Sequence, residues 1–376
     1  MKISRRKFVG GALGLGALAW AGGCMLGGCG RGLAREDLES GIPGSGPAPE
    51  LDDRRRAVLY YASLAPSGHN SQPWYVKLVG PDEWIIGADP ARRLPAVDPE
   101  NREVLLSLGA FAENLVLAAG SLGLEAEIEV LAQTSSDEEV LRVRLKEGRP
   151  TGYPLPRLSL RMTPKRGYRP EELTEEVVGA LAGPHDGRLF YFPRGTSHAQ
   201  CLEAGAVENF RRQLERDEAQ AEMVRWTRLS DGAAREHRDG LTVEGMEIRG
   251  LAGWFARHFL KPEDFLTAGN RKRSLDHTTR LAAEGGGWMV ITGPGPSVGD
   301  LIETGRRFER TALLARELGV GLHPMTQYLE EEPGRAEVAK NHGPEMSPQF
   351  VLRVGYLDRY PRPVSLRRPV SWFVRT

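Results

Sequence analysis

The sequence predicts an α+β protein made of two degenerate copies of one unit, with a lid-like insertion in the second copy. Three observations carry this expectation. Apolar residues switch along the chain between helical and alternating spacing. GAFAENL at 109–115 is echoed by AGAVENF at 204–210. Glycine at 45 and proline at 26 of 376 residues demand many turns and a long irregular region.

Composition narrows the function classes. Fifty basic and fifty acidic side chains balance, so there is no basic field for nucleic acid. The eight histidines are scattered and no Cys/His spacing resembles a zinc site, so no metal is expected. Of three cysteines, Cys24 and Cys29 fall within the first thirty residues, which leaves Cys201 and no disulfide framework in the body.

The chain opens on an address. SRRKFVGG (4–11) leads into a Gly- and Ala-rich apolar run ending at about residue 23, a secretory pattern too short for a comfortable membrane span. Arg5 and Arg6 followed by Phe8 resemble the twin-arginine export signal, which carries folded proteins to the periplasm or the outer face of the membrane. LGGC (26–29) resembles a lipoprotein site with Cys29 as the lipidated residue; a plainly cleaved signal is the other reading, and AGGC ending at Cys24 matches less well. Signal 1–29 is then followed by a flexible tether, 30–50.

In the body, DDRRRAVLYYASLA has helical spacing with Asp52 or Asp53 as N-cap, and it must stop at Pro66-Ser67-Gly68. WYVKLVG (74–80) and EWIIGAD (83–89) read as strands paired across Gly-Pro-Asp. A long helix over 98–124 buries Leu105, Leu108, Ala112, Leu115, Ala119 and Leu122, and two strands, EAEIEVLAQ and EVLRVRLK, close a first half, 51–150. The second half, 151–376, starts with the basic RMTPKR. It continues through a short helix, the strand GRLFYFP and a helix from 197 to about 215. Residues 226–275 are the irregular part, and Trp254, Phe255, Phe259 and Phe265 mark them as a packed lid. WMVITGP (288–294) is a strand, Asp300 caps the next helix, Gly319 and Gly321 stop it, and PQFVLRVGY (348–356) is the final strand. GPGPSVG (293–299) lacks the Lys of a phosphate loop and reads as a plain turn.

A helix, then LAPSGHNSQPW (64–74), then a strand resembles the flavin-binding signature of the nitroreductase superfamily. Ala65, Pro66, Ser67, His69, Asn70, Gln72, Pro73 and Trp74 carry the match. DPENREVLLSLGA, the insertion, the doubled unit and the exported start resemble the Acg-like branch. Read without the resemblance, the same stretch is a capped turn entering a strand. Pro66 and Gly68 fix an irregular backbone suited to a flat ring, while Ser67 and Asn70 add compact polar groups; Gln72 and Trp74 brace the turn.

The resemblance implies FMN, held with its phosphate on an Arg-x-Ser-x-Arg pattern. RMTPKR offers Arg161, Thr163, Lys165 and Arg166, whereas DRRRAV in the first copy has no matching hydroxyl. The second copy's LAGPHDGRLFYF has in turn lost the Ser, Asn and Gln-Pro-Trp of the loop. Combining the halves leaves one complete site in an intramolecular pseudo-dimer, with one FMN per monomeric chain. The resemblance also assigns Pro324, Met325 and Thr326 to the flavin edge and Arg367 or Arg368 to the phosphate, for which a planar fork is apt. It implies hydride uptake from NAD(P)H and delivery to a small-molecule acceptor, a nitroaromatic or a quinone. No side chain is singled out as catalytic, although His69 and His323 fall near the expected ring. The Acg-like branch, with a lid and an exported location, implies a second reading: flavin binding or storage without turnover.

Overall fold

The computed structural model describes residues 32–38, 50–343 and 346–376. The signal and Cys29 therefore lie outside the described residues. The fold is mixed α+β, with two sheets.

Helix α1 (Asp53–Ala62) starts where the Asp52 carboxylate accepts the Arg55 N–H, and it buries Val58, Leu59 and Ala62. Strands β1 (Trp74–Leu78) and β2 (Glu83–Ala88) pair antiparallel, Val76 opposite Ile86. Helix α2 (Arg102–Ser121) follows, then the antiparallel pair β3 (Leu124–Val130) and β4 (Glu139–Glu147). After α3 (Pro156–Leu160) and α4 (Glu175–Ala182) comes β5 (Leu189–Pro193). A long excursion then holds α5 (Ser197–Glu215), α6 (Asp217–Arg225), β6 (Thr227–Arg228), α7 (Asp231–His237), β7 (Leu241–Thr242), α8 (Gly250–Phe259) and α9 (Ala268–Ala282). Strand β8 (Gly287–Thr292), α10 (Val298–Glu317), β9 (Val320–Pro324), α11 (Gln327–Glu330), α12 (Glu332–His342), β10 (Pro348–Tyr356) and β11 (Val374–Arg375) complete the chain.

The two sheets repeat one order. The first runs β11-β1-β2-β4-β3 and the second β5-β8-β10-β9, so α2 and α10 occupy equivalent places between the second strand and the edge. These two helices, each 20 residues, cross at glycines. A Cβ on Gly109 would overlap the Ile302 carbonyl oxygen, and one on Gly305 would overlap that of Leu106. The contact is reciprocal, and only hydrogen side chains permit it. Both helices end in Leu-Gly, with Gly123 at φ 76° and Gly319 at φ 68° as left-handed stops.

This pairing corrects the sequence echo. The counterpart of GAFAENL is GRRFERT (305–311) of α10, not AGAVENF of α5. Helix α5 packs on α9, α11 and α12 instead, and its Gly205 makes room for the Tyr328 ring.

Three further placements differ from expectation. The segment separating β5 from β8 is residues 194–286, wider than 226–275, and the expected irregular stretch contains α7, α8 and a small core of Leu229, Val243 and Ala256. Residues 32–38 are not tether: Leu33 and Ala34 are buried, Leu33 clusters with Ala234 and Leu366, and Arg35 donates to the Ser159 carbonyl. The chain also passes beyond its expected final strand, and β11 returns to pair parallel with β1, Val374 beside Val76.

Candidate functional site

The loop after α1 is held in a conformation that costs energy. His69, Asn70 and Gln72 have φ of 49°, 52° and 52°, left-handed for three side-chain-bearing residues out of four, at about 1–3 kcal/mol each. The surroundings over-determine it. Ser67 Oγ accepts the Gln72 N–H at 3.0 Å, and the Asn70 amide donates to the carbonyls of Gly240 and Leu366. Gln72 donates to the Arg238 carbonyl and accepts the Arg368 N–H. Arg367 donates to Asn70 Oδ1 at 2.9 Å and to the carbonyls of Ser63, Leu64 and Ala65. The C-terminal tail and the insertion thus fix the loop jointly.

A second wall comes from 161–165. Arg161 donates to the Leu64 carbonyl, and its Nε lies 3.3 Å from the carboxylate of Glu309, which is fully buried on α10. Burial pushes the Glu309 carboxyl up, against the pull of Arg161. Lys165 is anchored by its backbone: its N–H donates to Glu247 and its carbonyl accepts from Arg353. Burial lowers its ammonium.

A third wall is the start of α2. The Asp98 carboxylate accepts the N–H groups of Glu103 and Val104, which caps the helix and turns Arg102 and Glu103 inward. Arg102 donates to the Gln349 carbonyl at 2.8 Å and pairs with Glu103 at 3.1 Å. Burial, then the neighbouring Glu330 carboxyl, holds Glu103 well above the usual carboxylate range.

These walls enclose a cavity of about 310 Å³, the lower end of the range for ligand pockets. Pro66, Ser67, His69, Asn70, Arg161, Thr163, Pro324, Thr326 and Arg367 line it, so the loop of the first half and the basic segment of the second border one space. Its apolar part includes Leu106, Ala110 and Phe308, and Phe308 stacks on Phe350 at 4.1 Å. His69 is lowered to about 4 by burial and then by Lys165, and His323 falls well below its ordinary value by burial and then Arg353. Both rings are neutral at pH 7.

Three residues singled out in the sequence stand off the cavity. Arg166 is exposed and hydrogen-bonds His277 at 3.2 Å. Met325 is buried in a separate core, and its N–H is spent on the Val351 carbonyl. Arg368 spans the carbonyls of Gln72 and Trp74. Conversely, Arg102, Glu103, Ser107, Phe308 and Gln349 line the cavity unannounced. For Arg102, Glu103 and Ser107 the DPENRE cap is the available signal, since it fixes which way the first turn of α2 faces; Phe308 and Gln349 have none.

The donor set suits a flat aromatic ligand carrying a phosphate. The apolar wall matches a ring, while Thr163 and Lys165 supply a hydroxyl and a positive charge, beside an Arg161 whose Nε faces the Glu309 carboxylate. Arg367 lines the space but commits its guanidinium to the loop. Fold and cavity together define a mixed α+β protein with a cavity of small-molecule size. No family model matches the chain. Over 97 residues it is 35% identical to each of two proteins of Mycobacterium tuberculosis, from strains CDC 1551 and H37Rv, both named "Putative NAD(P)H nitroreductase". The match covers 24% of this chain and 28% of each relative, so the chain spans little more than a quarter of their length.

Proposed function

We propose that this protein is an exported FMN-binding oxidoreductase of nitroreductase type, folded as an intramolecular pseudo-dimer with one flavin site. The observation that carries the reading is the common cavity bordered by the 66–70 loop and by Arg161 and Thr163. The partial likeness to two NAD(P)H nitroreductases supports the same class. Bound FMN would supply hydride transfer from NAD(P)H to a nitroaromatic or quinone-like acceptor.

The chain's own groups have definite parts. Leu106, Ala110 and Phe308 receive the ring and exclude water from one face. Thr163 and Lys165 hold the phosphate, backed by Arg161. Ser67 and Asn70 shape the slot, with Arg367 as brace. His69 and His323, both neutral, serve as hydrogen-bonding groups rather than as cations.

A second reading, FMN binding or storage with little turnover, is favoured by one observation. Gly240, Leu241 and Gly245 of the insertion form part of the cavity wall, and Gly240 bonds Asn70 in both directions. Such a wall narrows the approach of an acceptor to the ring. Anaerobic spectra of the purified protein separate the cases. A flavin spectrum that bleaches with NADPH supports the reductase; one that persists supports storage. A colourless protein that takes up no added FMN sinks both.

A further inference from the structure

Helix α8 presents its large apolar side chains to solvent and its small ones to the protein. Leu251, Trp254, Phe255, His258 and Phe259 recur at the spacing of a single helical face. Leu251 is 83% exposed, Phe259 60% and Trp254 39%. The opposite face carries the buried Gly253 and Ala256. Gly253 is required there, because a Cβ would lie 2.5 Å from the Ile248 carbonyl oxygen. The backbone is thus drawn onto the body while the aromatic side stays outside. The rings are held in order by one another: Trp254 stacks on His258 at 5.0 Å and Phe255 on Phe259 at 5.1 Å. An ordered apolar face in water marks an interaction surface.

The chain itself indicates what covers this face. Gly32 lies against the root of α8: a Cβ on it would overlap the Glu244 carboxylate and approach Arg257 Nη1 at 2.7 Å. Arg257 belongs to α8 and pairs with Glu244. Gly32, at the start of the described 32–38 segment, therefore sits beside this helix. The sequence before it carries the basic-then-apolar run of 4–23, and Cys29 stands three residues from Gly32, a reach of about 10 Å. Exposed Arg249, which pairs with Glu247 at 3.8 Å, and exposed Lys261 flank the helix in sequence, with Glu263 the next exposed acid. Aromatic side chains with flanking basic residues are the composition of helices that lie in the headgroup layer.

We infer that the aromatic face of α8 is a membrane-docking surface, seated in the headgroup region of an anionic bilayer beside Gly32. The choice of a membrane as occupant rests on the proposed export and on the lipoprotein-like Cys29 three residues before Gly32; the surface itself does not. Trp254 and Phe259 enter the interface, while Arg249 and Lys261 meet anionic headgroups.

Hydrogen exchange of the full-length protein, with and without vesicles of phosphatidylethanolamine and phosphatidylglycerol, tests this. Amides of 250–260 are expected to exchange about tenfold more slowly with vesicles. The triple variant Leu251→Ser, Trp254→Ser, Phe259→Ser should abolish that protection without shifting the melting temperature. Protein that floats with vesicles while α8 exchanges as in water overturns the docking and leaves N-terminal attachment standing. Protection that needs no vesicles and grows with protein concentration overturns it in favour of a second copy of this chain. Should the triple variant misfold, brominated-lipid quenching decides. The fluorescence missing from Trp254→Phe must be the quenched part, and its insensitivity to the lipid overturns the inference.

Discussion

On one side of the α2–α10 crossing, Glu113 of α2 is bound by Arg306 and Arg310 of α10 at 2.7–3.0 Å. On the other, the matching carboxylate Glu309 of α10 finds no arginine on α2 and takes Arg161 from the segment after α3. The residue following Gly109 is Ala110, and the one following Gly305 is Arg306; two positions before each glycine stand Ser107 and Glu303. Small residues leave room for the cavity, and large charged ones fill the mirror space with an ion-pair network that also engages Arg307 and Asp186. The loops follow suit. His69 borders the cavity, whereas His185, before β5, is 1% exposed and hydrogen-bonded to Thr311 at 2.7 Å. One backbone plan thus supports an open side and a sealed one, and side-chain volume at two helix positions decides which.

The crossing itself is the first place to break this relation. Gly305→Val should destabilise the protein by at least about 3 kcal/mol in urea unfolding, since neither helix has space to yield. A smaller loss would mean that the crossing relaxes and that its glycines do not set the spacing. Next in size is Ala110→Arg, which writes the sealed side's residue onto the open side. It should lower FMN affinity about 100-fold, near 3 kcal/mol by titration, with the melt unchanged. Unaltered binding would remove the cavity as the flavin site.

Acid then separates the two histidines. Burial, with help from Arg307, lowers His185 from 6.5 to about 4. The unfolded chain therefore takes up that proton first, and stability falls as the pH drops from 6.5 towards 4, by about 2 kcal/mol. His185→Gln should flatten the slope of stability against pH in that window, and His69→Gln should flatten it less, because His69 keeps part of its surface exposed while His185 is 1% exposed. An equal effect would mean that the open side is as dry as the sealed one. Smallest is the contrast between the carboxylates. Glu309→Gln leaves Arg161 buried without its counter-charge, whereas Glu113→Gln leaves Arg306 and Arg310 free to turn to water. The first should cost about 1–2 kcal/mol more in denaturant melts.

The long local features are legible in the sequence because they depend on nearby residues: the Asp52 cap, the β1–β2 hairpin, the long helix and the turn at Pro66. The 66–70 loop and Arg161, singled out by their motifs, line one cavity. The α5 echo misleads because small residues followed by Glu-Asn suit any packed helix. The signal that matters is a glycine whose neighbour is another backbone, and that neighbour is nearly two hundred residues away. Arg368 resembles a phosphate ligand in sequence because an arginine's partner cannot be seen there; burial lowers it to about 9, and it holds carbonyls instead. Residues 32–38 are hidden by their glycine-rich flanks, although Leu33 and Ala34 are apolar enough to bury. The two-residue β11 has no pattern at all, being selected by the edge it meets.

That last strand has a consequence for synthesis. Val76 emerges early and its partner Val374 late, so the sheet encoded first is finished last, with its edge open in the meantime. Arg367 and Arg368, which tie down the 63–72 segment, arrive on the same tail. A nascent chain lacking those few residues has α1 to α12 yet no settled pocket, so loading by a ligand would report that translation has passed the 367–376 tail.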